Sequence, residues 1–262
     1  MPISLRTPIR RFSQNEFSEL SFEVMRHVFA IHNELGRFFD ERIYQQELAH
    51  RMPNVRLEEP VDVTFDSFHK RYFLDALVAD GAVFEFKAVE AFTGWHRAQL
   101  IHYLMLCELG HGKLINVRPA KIEHEFVNTN LRHADRTAFG LETSRWNNNL
   151  PGAGQLRDGL LAFLADVGTG LAIALYEEVV THFFGGPARV EADVAVLLNG
   201  RRIGHQRVRL IAPGVAVKIT CLDRKQVGFE EHARRLLNHL DLHAIAWVNI
   251  HVKQVTFTTL ER

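Results

Sequence analysis

Two cysteines in 262 residues, Cys107 and Cys221, are too few for a disulfide framework, and no CxxC pair is present for zinc or redox chemistry. Both lie in apolar periodic stretches, which suits a reducing compartment. No run approaches the roughly 18 consecutive apolar residues of a membrane span. The first eleven residues carry Arg6, Arg10 and Arg11 with no apolar segment behind them, so the expectation is a soluble, cytoplasmic protein with no membrane association. Net charge is absent as well: 31 Lys+Arg balance 31 Asp+Glu, divided as −2 over residues 1–132 and +2 over 133–262. A neutral surface excludes binding of polyanions by bulk electrostatics, so any nucleic-acid contact must be local. Disorder is excluded by the 47% hydrophobic and 10% aromatic content.

What the chain has is an internal repeat. Leu35-Gly36 through Tyr44 to His50 runs parallel to Val167-Gly168 through Tyr176 to His182 at a constant offset of 132. After a one-residue insertion the match continues, pairing Glu58 with Glu191, Val61 with Val194, Gly81 with Gly214 and, after small gaps, Asn116 with Asn249. The organisation expected from this is a first domain over 1–128, a connecting segment over 129–154 rich in Asn, Gly and polar residues, and a second copy over 155–262.

Within the first copy, Phe17, Leu20, Val24, Val28 and Ile31 recur at helical spacing over Glu16–Leu35, and a second helix follows Gly36. Val55–Phe65 alternates as a strand, Asp66-Ser67 turns, and Tyr72–Val78 returns. Asp80-Gly81 signals a hairpin into the apolar strand Ala82–Ala88. Trp95–Leu109 reads as a helix, Leu114–Val117 as a buried strand and Ile122–Val127 as a final strand.

Chemistry concentrates at Asp75, Glu85 and Lys87. Glu85 and Lys87 are two apart on one strand and share a face, and the hairpin brings Asp75 alongside. Two carboxylates and a lysine can hold a hard divalent cation and leave an ammonium beside a water that attacks phosphorus. The other reading is an ordinary salt bridge from Glu85 to Lys87 or Lys70 on a half-exposed hairpin. Ala82-Val83-Phe84 and Phe86 favour a buried strand, where charge is costly unless paired or functional.

The residues His32-Asn33-Glu34-Leu35-Gly36, Glu41-Arg42-Ile43-Tyr44, Leu74–Val78, Phe84–Ala88, Ala98-Gln99-Leu100 with Tyr103-Leu104, and Gly112–Asn116 together resemble the GxxExxY family of the PD-(D/E)XK nuclease-like superfamily. The resemblance covers about residues 20–128. It implies an α/β fold: two tandem restriction-endonuclease-like domains, each a mixed sheet core flanked by helices, with a Mg²⁺ (or Mn²⁺) phosphodiesterase site on one sheet edge. By position, Glu41, Asp75 and Glu85 would hold the metal, Lys87 would orient the water, and Gln99 and Tyr103 would face the scissile phosphate. The sequence departs from the family at Phe38, where a second glycine is expected, which bears on the local turn and not on the carboxylates.

In the second copy Ile173 stands opposite Glu41, Val208 opposite Asp75, Lys218 and Thr220 opposite Glu85 and Lys87, and Arg235 and His239 opposite Gln99 and Tyr103. The metal chemistry is gone, while Gly170 restores the glycine that Phe38 replaces. Trp95 and Arg97 open the helix after the lysine strand and could meet a substrate backbone or base, or simply pack. Lys218, Arg224, Lys225, Arg234 and Arg235 form a basic set that could bind phosphate or be solvated surface. His239 and His243 sit four apart on one helical reading, with no third ligand for zinc. The expected activity is hydrolysis of DNA, or less readily RNA, by the first copy, with the second as a pseudo-partner. The rival is an inactive nucleic-acid- or protein-binding scaffold. Homo-oligomerisation and protein partners are left open by the sequence.

Overall fold

The structure is a computed structural model, and it describes residues 2–223 and 226–262. The chain divides into two compact units, Met1–His133 and Ala134–Arg262. Among the described residues no helix is long and apolar enough to cross a membrane.

In the first unit the order is β1 (Ile3–Leu5), α1 (Gln14–Leu35), α2 (Glu41–Arg51), β2 (Val55–Phe65), β3 (Phe68–Val78), β4 (Ala82–Lys87), α3 (Gly94–Leu106), β5 (His111–Asn116) and β6 (Glu123–Asn128). The sheet runs β1-β2-β3-β4-β5-β6, antiparallel except for the parallel pair β4–β5. Ser13 caps α1 in a reciprocal box with Glu16. Phe17, Val24, Val28 and Ile31 of α1, with Tyr44 and Leu48 of α2, cover one sheet face at Ala76, Val78, Phe84, Phe86 and Ile115.

Across the unit boundary lies α4 (His133–Thr137). The second unit continues with β7 (Gly140–Arg145), α5 (Ala153–Val167), α6 (Ile173–Phe183), α7 (Pro187–Val190), β8 (Glu191–Leu198), β9 (Arg201–Ala212), β10 (Val215–Thr220), α8 (Gln226–His239), β11 (Ala244–His251) and β12 (Gln254–Glu261). Its sheet order, β8-β9-β10-β11-β12, repeats the succession β2 to β6, including one parallel pair at the same step, β10–β11. The sixth strand differs: β1 lies beside β2 in one sheet, whereas β7 pairs parallel with β12 at the opposite edge of the other. The fold class is thus mixed α/β, with two six-stranded sheets flanked by helices.

Four sequence expectations change in detail. Residues 129–154 are more than a connection, since they supply α4 and β7, and Trp146 is buried against Phe257 of β12. Their Asn- and Gly-rich composition hides these few apolar anchors. The strand expected at Tyr72 begins at Phe68, because His69, Lys70 and Arg71 continue the ladder with Thr64, Val63 and Asp62. The helix expected to reach Leu109 stops at Leu106: Glu108 takes φ +56° and the Leu109 N–H closes on the Leu104 carbonyl, a terminating turn made without glycine. At the β3–β4 turn the left-handed residues are Ala79 and Asp80, while Gly81 is needed because a Cβ there would lie 1.8 Å from the Arg10 carbonyl oxygen.

Identical side-chain clamps occur at repeat-matched positions. Tyr44 Oη donates to the Gly36 carbonyl at 2.6 Å, and Tyr176 Oη to the Gly168 carbonyl at 3.0 Å. Asn116, fully buried, accepts from the Val89 N–H and donates to the Val89 carbonyl; Asn249 does the same with Leu222. Each Asn fixes the chain leaving the central strand. Asn116→Ala and Asn249→Ala should each cost about 1–3 kcal/mol, since truncation leaves buried backbone groups unpaired. Chemical denaturation measures this, and a loss under about 0.5 kcal/mol would show that the clamp is dispensable.

Candidate active site

The carboxylates meet where the β3–β4 ladder ends. Pairing runs Val78↔Ala82, Leu77↔Val83, Ala76↔Phe84 and then stops. Beyond it Asp75 Oδ2 accepts the Phe86 N–H at 2.8 Å, so a side chain replaces the next backbone partner. Glu85 is next in line, fully buried, with Oε1 accepting from Lys87 Nζ at 2.7 Å. Its other oxygen, Oε2, is buried with no hydrogen-bond partner. The Glu85–Lys87 salt bridge of the alternative reading forms, but on a buried strand and not a half-exposed hairpin, and it satisfies only half of the carboxylate.

Electrostatics follow from that geometry. Burial drives the Asp75 carboxyl above its usual range, opposed by Lys87 and the Phe86 N–H and reinforced by Glu41 and Glu58. Burial raises Glu85 as well, with the Asp75 charge adding to it and Lys87 opposing. For Lys87, burial pulls the ammonium down, but Glu85, Asp75 and Glu41 outweigh it and hold it above its ordinary value. Tyr103, nearly buried on α3, is raised by burial and by the charges of Glu85 and Asp75, while Gln99 Nε2 donates to its hydroxyl at 3.1 Å. Tyr72 lies edge-on to Tyr103 with ring centroids 6.1 Å apart.

Glu41, Asp75, Glu85, Lys87, Gln99 and Tyr103 are thus gathered in one electrostatic neighbourhood. Glu41 is the first residue of α2. Among the described residues, no three His, Cys, Asp or Glu side chains close into a metal cage. The donors present still fit a hard cation: three carboxylates, one with an orphaned buried oxygen, and no thiolate or imidazole among them. The sequence reading missed Glu58. It lies between the pairs Leu57↔Ala76 and Glu59↔Leu74, in the register position opposite Asp75, at φ +53°, and its charge reaches Asp75. The only sequence signal was Glu58-Glu59-Pro60 interrupting an alternating strand.

Trp95 and Arg97 separate in behaviour. Trp95, second residue of α3, is 81% exposed, whereas Arg97 makes a two-pronged ion pair with Glu125 of β6. In the second unit Val208 is buried at the Asp75 position. Thr220, at the Lys87 position, donates to Asn249 Oδ1 at 2.8 Å and accepts from Trp247 Nε1 at 2.9 Å. Phe229 packs on that indole, 4.8 Å between centroids.

The basic set does not gather into one patch. Lys218 lines a hollow of about 230 Å³ with Glu177, Glu191, Arg207 and Arg209, Arg235 lines a separate groove with Leu198 and Ile203, and Arg234 pairs with Glu230. Arg224 and Lys225 lie outside the described residues. His239 ends α8 and His243 falls beyond it against Gly214, so the two do not share a helix.

The raised carboxyl of Asp75 carries a stability consequence. Ionising it in the fold costs free energy, a penalty absent below the ordinary carboxylate pKa and growing as pH rises through the elevated one. Asp75→Asn keeps an acceptor for Phe86 and removes the charge. Without divalent cations it should melt above the parent at pH 8, by roughly 2–4 °C for each kcal/mol recovered, with the gain vanishing near pH 4. A lower melting temperature at pH 8 would contradict this account.

No curated protein matches the chain. A solved structure titled "Crystal structure of SSO0001" is 20% identical over 46% of this chain, with a TM-score of 0.29; the match spans 61% of that chain's length and is too loose to bear on the fold. The sequence pattern of the PD-(D/E)XK nuclease superfamily matches residues 18–128, the stretch from α1 to the end of β6 that carries every one of the gathered carboxylates.

Proposed function

We propose that the first unit is a divalent-cation-dependent nuclease that hydrolyses phosphodiesters in DNA, or less readily RNA, and that the second unit is a degenerate copy acting as its pseudo-partner. The observation that carries this is Glu85: a fully buried carboxylate, half satisfied by Lys87, with Oε2 buried and unpartnered and the charge of Asp75 acting on it. Asp75, Glu85 and Glu41 would hold Mg²⁺ or Mn²⁺, which when bound supplies Lewis acidity and positive charge at the scissile phosphate.

The chain's own residues do the rest. Lys87 turns its ammonium from Glu85 to a water oxygen and then to the charge that builds on the phosphorane oxygens. The water oxygen bonds to phosphorus and gives a proton to solvent, the bond from phosphorus to the leaving sugar oxygen breaks, and that oxygen takes up a proton from solvent. Tyr103 keeps its proton at ordinary pH, and because its oxygen already accepts from Gln99 it donates to a non-bridging oxygen. The repeat-matched clamps at Tyr44/Tyr176 and Asn116/Asn249 support common descent of the two units, one keeping the carboxylates and the other the scaffold.

A second reading, an inactive nucleic-acid- or protein-binding scaffold, draws on the open spacing of the acids and on Lys87 being committed to Glu85. Cleavage assays decide between them. Cutting of DNA in Mg²⁺ or Mn²⁺ should be abolished by EDTA and fall at least about 100-fold in Asp75→Ala and Lys87→Ala, the scale of losing a preorganised charge stabiliser. Folded variants that cut as well as the parent would remove the assignment.

A further inference from the structure

Three aromatic rings that no core needs stand, along the chain, beside the elements that carry the carboxylate site. Phe38 is 78% exposed and Phe39 48%, on the loop directly before Asp40 and Glu41, and Trp95 is 81% exposed at the start of α3. Arg118 ties the Phe38 loop to the chain that leaves β4 toward α3: Nη1 donates to the Arg37 carbonyl at 3.2 Å, and Nε to the Ala88 carbonyl, the residue after Lys87, at 3.4 Å. The Arg37 guanidinium lies 5.0 Å from the centre of the Phe38 ring, so a cation accompanies the exposed face.

The second unit provides an internal comparison. At the Phe38 position it has Gly170, at φ +78°, and at the Phe39 position Leu171, only 3% exposed, whose N–H donates to Tyr176 Oη. The backbone of Phe39 makes the same bond to Tyr44. The loop anchor is therefore common to both units, and the outward aromatics occur only where the carboxylates remain. Folding requires none of them, and exposed aromatic area is retained here against its solubility cost.

We infer that Phe38, Phe39 and Trp95 form a stacking rim for unpaired bases, making a single-stranded nucleic acid the substrate class of this site. The inference rests on the nuclease reading of the same sheet edge. An aromatic face stacks on any base, so it grips a strand without reading its sequence, and duplex bases, already stacked on each other, offer no free face. Arg37 follows the backbone beside the rings, a local cation in a chain of no net charge.

The test uses the full chain in EDTA, so that nothing is cut, with single strands of DNA and of RNA, about 15 nucleotides long to span a typical site, and the matching DNA duplex. Trp146 and Trp247 are buried, so quenching of tryptophan emission reports on Trp95. At least one single strand should bind more tightly than the duplex and quench the emission. Trp95→Ala and Phe38→Gly should each weaken single-strand binding roughly 5- to 150-fold, the scale of one lost stacking platform. Phe38→Trp should retain binding, and Phe22→Ala, which removes an equally exposed ring on α1, should leave it unchanged. Equal affinity for duplex and single strands, or parent-like binding by both rim variants, would overturn the inference. Quenched single-strand binding without any cutting in Mg²⁺ or Mn²⁺ would sink the nuclease reading and leave the rim standing. Asp75- and Lys87-dependent cutting that ignores both rim substitutions would do the reverse.

Discussion

Glu85 lies on an inner strand with no exposure, and an ionised carboxylate in such a place costs several kcal/mol unless its charge is answered. Lys87, two residues along the same face, answers one unit of it. Asp75 and Glu41 add two more negative charges to the same neighbourhood and push Glu85 further toward its neutral form. Glu41, Asp75, Glu85 and the nearby Glu58 against one ammonium leave the neighbourhood acidic, the imbalance that a bound divalent cation would offset. The end of the β3–β4 ladder, the start of α2 and the tyrosine on α3 each become intelligible as parts that deliver groups to this one unbalanced point.

The second unit has the same framework without the imbalance. The strand succession, the tyrosine–glycine clamp and the asparagine clamp all persist. With Val208 for Asp75 and Lys218 for Glu85 there is no buried acid to compensate, and a chain of hydrogen bonds from Trp247 through Thr220 to Asn249 satisfies the polar groups that remain.

Much of this was legible in the sequence because repeat and alternation are local signals. Val55–Phe65 is a strand with the expected ends, and Asp75, Glu85 and Lys87 lie together as their spacing required. What escaped was set by tertiary partners. Glu58 looked like one more residue of an alternating strand until the register placed it opposite Asp75. Residues 140–145 have weak strand character and become β7 only because β12 offers an unpaired edge. Arg97 read as a residue that meets a substrate or packs at the helix start, and its ion pair with Glu125, 28 positions away, depends on a strand that no local pattern relates to it. The aromatic loop at Phe38 was visible as a departure from a motif, but its outward orientation was not.

The central claim is that one cation site exists, in the first unit, built on Glu85 and Asp75. Calorimetric titration with Mn²⁺ near pH 7 tests it most directly. The account predicts a single site per chain and a heat that depends on the buffer's ionisation enthalpy, because carboxyls with raised pKa values release protons when the cation binds. It also predicts loss of that site in Glu85→Ala with the second unit left intact. Absence of binding in the parent chain, or binding that survives Glu85→Ala, would contradict it.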